Sequence, residues 1–518
     1  CNHHDLGALG AAVNTRAIER QLQILKDMGC NGIRTSHNPP APELLDLCDK
    51  MGFIVMDEAF DMWLKQKTKN DYSIDFPEWH VRDLTDMITR DRNHPSIFIW
   101  SIGNEVGEQW GETKTKEMDL QTANVLLNNR KVADNEDVRL GILGKFALLT
   151  RHLVDVTKSI DPTRPVSAAC NGTDANNPLL KSEALDLIGF NYHESEYEGI
   201  TKRYPTKPFI VTESVSSLQS RGFYVNPSDS IIVSPKRWDL PYSSSTQMCS
   251  AYDNSHAPWG STHEATWKIV KKYDHVAGQY IWTGFDYLGE PTPYWWPSRS
   301  SFFGIIDLAG FPKDVYYMYQ SEWTTKDVLY IFPHWNWEPG KVVDVWAYYN
   351  NADEVELYLN GQSLGKRSKL GEDLHVMWRV PFTPGTLKAV SRKDGKEVLT
   401  REIKTAGIPV SIRLKADRSS IAADGKDLSF VTVELLDKDG NASPVANQLV
   451  KFTLEGEGAI VGTDNGDQND HVSLKKLERH LFYGKCLAIV QSTKKGGNIV
   501  LKAVVEGLPN QEIVISAK

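Results

Sequence analysis

The sequence predicts a multidomain protein, a (β/α)8 TIM barrel followed by two all-β immunoglobulin-like sandwiches. Three observations carry that expectation. From residue 15 to about 325, short β-branched runs alternate with amphipathic stretches, the pattern of βα units around a parallel sheet. Most of those strand candidates end on polar or ionisable residues, as in a barrel whose site is built from the loops after its strands. After Trp323 the pattern changes to period-2 runs broken by turns, which reads as antiparallel sheet.

Taken in order, Ile18, Leu22, Leu25 and Met28 recur at helical spacing over residues 16–28, Ile24 widens the apolar face, and Gly29 can close the helix. Gly32-Ile33-Arg34 reads as a strand ending on Thr35-Ser36-His37-Asn38. A second helix covers Glu43 to Met51 with Gly52 as its cap, and the strand Phe53-Ile54-Val55-Met56 ends on Asp57-Glu58. Further strands are read at Ile97–Trp100, Val166–Ala169, Leu187–Phe190, Phe209–Val211 and Gln279–Ile281. In the second half, Asn360-Gly361 between alternating segments signals a hairpin, and Lys438-Asp439-Gly440-Asn441 and Asn465-Gly466 read as turns. The expected domains are residues 1–325, 326–407 and 408–518, the last an invasin-like sandwich.

A length of 518 residues exceeds what one core sustains and fits about three or four domains. A formal net charge of −9 offers no basic stripe for a polyanion, so nucleic acid is not expected as a partner. The six cysteines lie far apart with no C-x-x-C pair, which indicates neither a zinc site nor a disulfide scaffold. No apolar run approaches the roughly 18 residues of a membrane helix. The chain opens on Cys1-Asn2-His3-His4-Asp5, a polar cluster of the kind that ends a strand, so an upstream portion and a truncated first barrel strand are expected.

Two segments carry the chemistry. Ile99-Trp100-Ser101-Ile102-Gly103-Asn104-Glu105 and Phe209-Ile210-Val211-Thr212-Glu213 are both apolar strands that end on glutamate. Beside apolar walls at a barrel mouth, one carboxyl can hold a proton near neutrality while its partner stays ionised. Glycoside hydrolysis with retention uses such a pair at about 5 to 5.5 Å. A glutamate ending one strand is usually a surface or salt-bridged residue, so the signal lies in the pair.

In Asn2-His3-His4-Asp5, Arg34-Thr35-Ser36-His37-Asn38-Pro39, Met56-Asp57-Glu58-Ala59, Trp100 to Glu105 and Thr212-Glu213, taken in that order, the chain resembles glycoside hydrolase family 2. The resemblance implies that Glu105 is the acid/base and Glu213 the nucleophile, that Arg34 and Tyr192 orient the nucleophile, that His4 and His37 bind sugar hydroxyls, and that Trp282 is the platform under the sugar. A cation at Arg34 is expected to lower the pKa of Glu213, and Asn104 is suited to a sugar 2-hydroxyl. A rim salt bridge for Arg34 and a packed aromatic for Tyr192 are the plainer readings. His3, His4, His37 and Asp5 form a competing metal set, but without H-x-x-x-H spacing, and Ala59 to Leu64 is poor in oxygen ligands. No metal and no cofactor are expected.

The sugar is read from an absence: Arg299-Ser300-Ser301-Phe302-Phe303-Gly304 lacks the Asn-x-Lys that glucuronate-specific members carry, which favours a neutral sugar and the β-galactosidase branch. The expected activity is retaining release of terminal β-galactosyl residues from an oligosaccharide or polysaccharide, in a periplasmic or secreted setting. β-Glucuronidase and β-mannosidase are alternatives on the same scaffold, and a carbohydrate-binding adhesion protein is the alternative from another class. Family members carry β-domains ahead of the barrel that complete the pocket, so weak or no activity is expected of these 518 residues alone. Trp295 and Trp296 read either as a leaving-group subsite or as packing, and Ser214 to Thr262 as either a lid or a packing excursion. Assembly as a homo-oligomer stays open.

Overall fold

The computed structural model describes residues 1–4, 7–111, 144–237 and 240–518. Eight parallel strands form one sheet in sequential order: β1 (Asn2–His3), β2 (Gly32–Thr35), β3 (Ile54–Glu58), β4 (Ile97–Asn104), β5 (Val166–Cys170), β6 (Ile188–Asn191), β7 (Phe209–Val215) and β8 (Val276–Trp282). Between β1 and β8 the barrel closes through Asn2, whose carbonyl accepts from Gly284 N at 3.2 Å and Thr283 Oγ1 at 3.0 Å, while its side-chain amide donates to Tyr280 O at 3.0 Å. The expected (β/α)8 architecture is therefore present.

Local chemistry sets the helices around it. The first, α1 (Thr15–Met28), starts at Asn14, whose side chain accepts from Ala17 N, and stops at Gly29 in the left-handed region. Its buried apolar residues Ile18, Leu22, Leu25 and Met28 are those the spacing singled out. Along the strands, side chains alternate as a pleated sheet requires. Val55, Trp100 and Ile281 join the large cluster under the helices, whereas their neighbours Met56, Ile99 and Tyr280 form a separate one. Glu58, two residues beyond Met56, continues that second row.

The next block packs a three-stranded sheet (Leu329–Phe332, Val342–Tyr349, His375–Pro381) against a four-stranded one (Gln362–Arg367, Glu354–Leu359, Thr386–Lys393, Lys396–Lys404) around buried Trp335. Asn360 and Gly361 both have positive φ, 52° and 84°, as the tight hairpin between Glu354–Leu359 and Gln362–Arg367 demands. The last block has four-stranded and five-stranded sheets around Val431, Phe452 and Leu501. All six cysteines are free and buried. Among the described residues no helix is long and apolar enough to cross a membrane.

Both sandwiches are tied to the barrel. Phe332, Trp346, Tyr348 and Leu374 of the first belong to the barrel's own apolar cluster. Phe430 and Ile489 of the second pack on Ala309 and Phe311 of the barrel. Arg221 pairs with Asp307 at 2.6 Å and donates to the carbonyls of Asn465, Phe482 and Tyr483. Asn465-Gly466, read from sequence as a turn, is a contact loop at this interface: a Cβ on Gly466 would lie 2.0 Å from Asp307 Oδ2.

The long segment after β7 packs against the first sandwich, one of the two readings left open by the sequence. Ser228 donates to Asp344 of the first sandwich at 2.7 Å from its N–H and 2.8 Å from its hydroxyl, and accepts from Trp346 Nε1 at 3.0 Å. Closer to β7, Ser216 bonds the Tyr192 hydroxyl at 2.8 Å and accepts from Trp259 Nε1 at 3.2 Å.

Candidate active site

The ends of β2, β3, β4, β6 and β7 converge on one buried polar cluster. Arg34, fully buried on β2, lies at its centre. Its guanidinium donates to Glu213 Oε1 at 2.8 Å, forks onto Glu58 at 2.8 to 3.1 Å, and reaches Asn2 Oδ1 at 2.9 Å and Asn104 Oδ1 at 2.8 Å. The planar fork of arginine suits this many-sided role, which one ammonium group does not fill. Arg34 is thus no rim salt bridge.

Glu213 is held on both oxygens. Tyr192 Oη donates to Oε2 at 3.0 Å, and His37 Nε2 lies 3.6 Å from Oε1. The sequence led to the expectation that Arg34 would lower the pKa of Glu213; the shift runs the other way. Complete burial raises it, Arg34 opposes, and the charge of Glu105 adds to the rise. Burial is the largest of these effects; Arg34 also faces Glu58, whose carboxyl it and His37 hold below the usual range against burial.

Glu105 lies just past β4 with φ 42°, and its Oε1 accepts from Asn171 Nδ2 at 3.1 Å and Asn191 Nδ2 at 2.9 Å. Tyr192, His193, Val215 and Ser216 also have positive φ, between 55° and 77°. For a β-branched residue such as Val215 this is a costly conformation, and such outliers gather where function fixes side-chain direction.

The remaining predicted residues join the same cluster. Asn104 is nearly saturated: its oxygen accepts from Arg34 and from Asn191 at 3.1 Å, and its amide donates to Asp61 at 3.0 Å, so one N–H is left for a ligand. His37 stacks on Trp282 with centroids 5.3 Å apart and planes at 3°, and His4 meets the same indole edge-on at 5.2 Å. Burial pulls His4 down to about 3, so it is neutral, and its Nε2 has no hydrogen-bond partner among the described residues. Glu58 holds His37 above the ordinary histidine value, overcoming burial.

At the place where a metal was weighed, Asp61 pairs with Lys67 at 2.7 Å, and Lys67 also donates to Asn104 O at 2.9 Å. Against burial, that ammonium holds the Asp61 carboxyl at about 2. Asp5, the remaining member of the metal set, lies outside the described residues. Arg299 turns toward Asp464 of the last sandwich, 3.5 Å away.

Sequence reasoning missed several participants. Glu58 was seen only as a strand end, and Asn171 and Asn191 were passed over, although each lies at the C-terminal end of a strand where the barrel rule looks for chemistry. Tyr287 and Glu290 were also missed. Tyr287 packs on His4 at 4.3 Å and Trp282 at 5.7 Å and donates its hydroxyl to Glu290. Crowding in the cleft, then the charge of Glu213, pushes the Glu290 carboxyl up to about 7.

A pair of glutamates at the ends of β4 and β7 of a (β/α)8 barrel, with an indole wall beside it, defines the class of barrel glycoside hydrolases. Residues 1–236 match the family model for the glycosyl hydrolases family 2 TIM barrel domain, residues 412–514 that for glycoside hydrolase family 2 C-terminal domain 5, and residues 340–399 a domain of unknown function, DUF4982. The chain belongs to glycoside hydrolase family 2. It is 58% identical to the β-galactosidase BoGH2A of Bacteroides ovatus, over 100% of this chain and 61% of that protein. It is 24% identical to a β-glucuronidase of Formosa agariphila, over 98% of this chain and 46% of that one. A β-glycosidase structure from Bacteroides vulgatus superposes with TM-score 0.84 at 33% identity, covering 100% of this chain and 63% of that chain. The chain therefore spans less than two thirds of the length of these relatives.

Proposed function

We propose that this chain carries the catalytic centre of a retaining exo-β-galactosidase acting on galactose-terminated oligosaccharides or polysaccharides. The observation that carries the reading is the two-handed grip on Glu213 by Arg34 and Tyr192, opposite a Glu105 whose carboxylate accepts from two amides, those of Asn171 and Asn191. With both oxygens fixed, the Glu213 carboxylate is aimed at the anomeric carbon. Both amides bond Oε1 of Glu105, so the proton rides on Oε2 and passes to the departing glycosidic oxygen as the C–O bond breaks. A glycosyl ester on Glu213 results. Glu105, now a carboxylate, takes a proton from water as that water attacks the ester, restoring both groups.

Support for galactose comes from the 58% identical β-galactosidase and from charge. The cations bonded in the cluster, Arg34 and Lys67, are already engaged by Glu58, Glu213 and Asp61, so a uronate carboxylate entering beside Glu290 would meet carboxylates. A glycan substrate and the terminal sandwiches favour a periplasmic or secreted setting.

Hydrolysis of a panel of 4-nitrophenyl β-glycosides by the whole protein tests the proposal, with the galactoside expected to be cleaved fastest. Preferred cleavage of the glucuronide or mannoside would overturn the sugar assignment. Incubation with a 2-deoxy-2-fluoro-galactosyl fluoride is expected to add one fluoro-galactosyl mass to the peptide containing Glu213, and labelling of any other residue would refute its role. Glu213→Gln is expected to lower kcat by several orders of magnitude.

A further inference from the structure

The loop after β8 carries two exposed indoles, Trp295 at 47% and Trp296 at 78% of full accessibility. Exposed tryptophan is uncommon enough to need a reason, and these two are held firmly. Trp295 has φ 59°, a region bulky L-residues avoid, stabilised by hydrogen bonds from its N–H to Pro291 O at 3.0 Å and from Ser298 N to its own carbonyl at 2.8 Å. The loop base is closed by Gly289 N donating to Arg299 O at 2.9 Å.

The last sandwich holds this loop in place. Ser298 Oγ bonds Asn469 Oδ1, Asn469 Nδ2 reaches back to Gln247 O at 2.9 Å, and Arg299 N donates to Gln468 O at 2.9 Å. Trp296 leans on the His471 ring at 4.7 Å. The root of the loop lies in the candidate site, because Tyr287 touches both His4 and Trp282 and binds Glu290, which senses the charge of Glu213. Tyr294, the residue before Trp295, packs in one apolar cluster with Trp282 and Tyr287 of that site.

Resting on the galactosidase reading, we infer that Trp295 and Trp296, braced by residues 468–471 of the last sandwich, form a subsite for the leaving-group saccharide. An indole face is matched by the apolar C–H face of a pyranose, and the polar rim of Glu290 and His471 suits its hydroxyls. The last sandwich is then part of the substrate cleft.

The test compares kcat/KM for lactose, whose leaving group is a glucose ring, with that for methyl β-galactoside, which has none. In Trp296→Ala, in Trp295→Gly and in Asn469→Ala the ratio is expected to fall roughly three- to tenfold, the scale of one aromatic stacking contact. Melting curves confirm that each variant is folded. A ratio within twofold of the parent in all three variants overturns the subsite, whether both constants fall together or neither does. A parent enzyme that cleaves neither galactoside would instead remove the functional reading on which the subsite rests.

Discussion

Glu213, Arg34 and Glu58 form one electrostatic unit in which a single guanidinium serves two buried carboxylates. Replacing Glu58 by Gln removes a charge but leaves an amide for Arg34 to meet, and the guanidinium is then free to drift toward Glu213. The expected result is a fall in kcat of roughly 10- to 100-fold with KM little changed, since a misplaced nucleophile slows chemistry before it weakens binding. A pH–stability series on Glu213→Gln checks the sign of the Glu213 shift. A carboxyl whose folded pKa is raised favours the fold below its unfolded pKa, and that contribution disappears as pH rises through the folded value. Glu213→Gln should therefore melt higher than the parent at neutral pH, with the gain shrinking toward pH 4. A uniform gain or loss across pH would contradict the direction. The sequence showed these residues as strand ends, but the sign of the shift depends on the burial of Glu213 and on the charges around it, which is a matter of three-dimensional neighbours.

At the scale of elements, the helix His263–Lys272 is clasped to the first sandwich by Glu264, and Lys268 adds a 3.1 Å pair with Asp373. Glu264 accepts from Leu374 N at 3.0 Å and His375 Nδ1 at 2.6 Å and pairs with Lys268 at 2.7 Å. Those partners hold its carboxyl at about 2 although burial acts to raise it. The sign is the ordinary carboxylate one: stability is present above the unfolded value near 4.3 and is lost as pH falls through about 2. Glu264→Ala leaves Leu374 N and His375 without their acceptor and should cost about 2 to 4 kcal/mol in chemical denaturation at neutral pH. The gap between parent and variant should close below pH 3. Helix periodicity and caps made α1 legible from sequence, whereas nothing in His263-Glu264-Ala265 announces that Glu264 faces a strand 110 residues onward.

For the whole molecule, Arg221 is a buried cation at the seam between the barrel and the last sandwich, beside the Gln468–Asp286 and Arg16–Asp417 contacts. It pairs with buried Asp307, stacks over Phe311 and Phe482 at 5.0 and 5.5 Å, and caps three carbonyls of the sandwich. Arg221→Ala leaves Asp307 without its cation, a loss of about 3 to 5 kcal/mol. Calorimetry should then show the last sandwich melting in a separate transition at lower temperature. A single unshifted transition would mean that the apolar contact of Phe311 and Phe430 suffices. Because residues 468–471 brace Trp295 and Trp296, the same variant is expected to lower the lactose to methyl galactoside ratio.

Legible in the chain alone were the barrel, the all-β character of its C-terminal part and the residues that end the barrel strands, including Glu105, Glu213, Arg34 and Tyr192. Those features are written in local period, in turn chemistry and in strand-end position, each readable within about ten residues. Folding in three dimensions was needed to establish that Arg34 is shared with Glu58, that Arg299 turns to Asp464 and that Asn465-Gly466 presses on Asp307. It also joined the exposed indoles to the last sandwich. These are contacts between segments far apart in the chain, and electrostatics and packing depend on distance in space, for which spacing along the sequence carries no record.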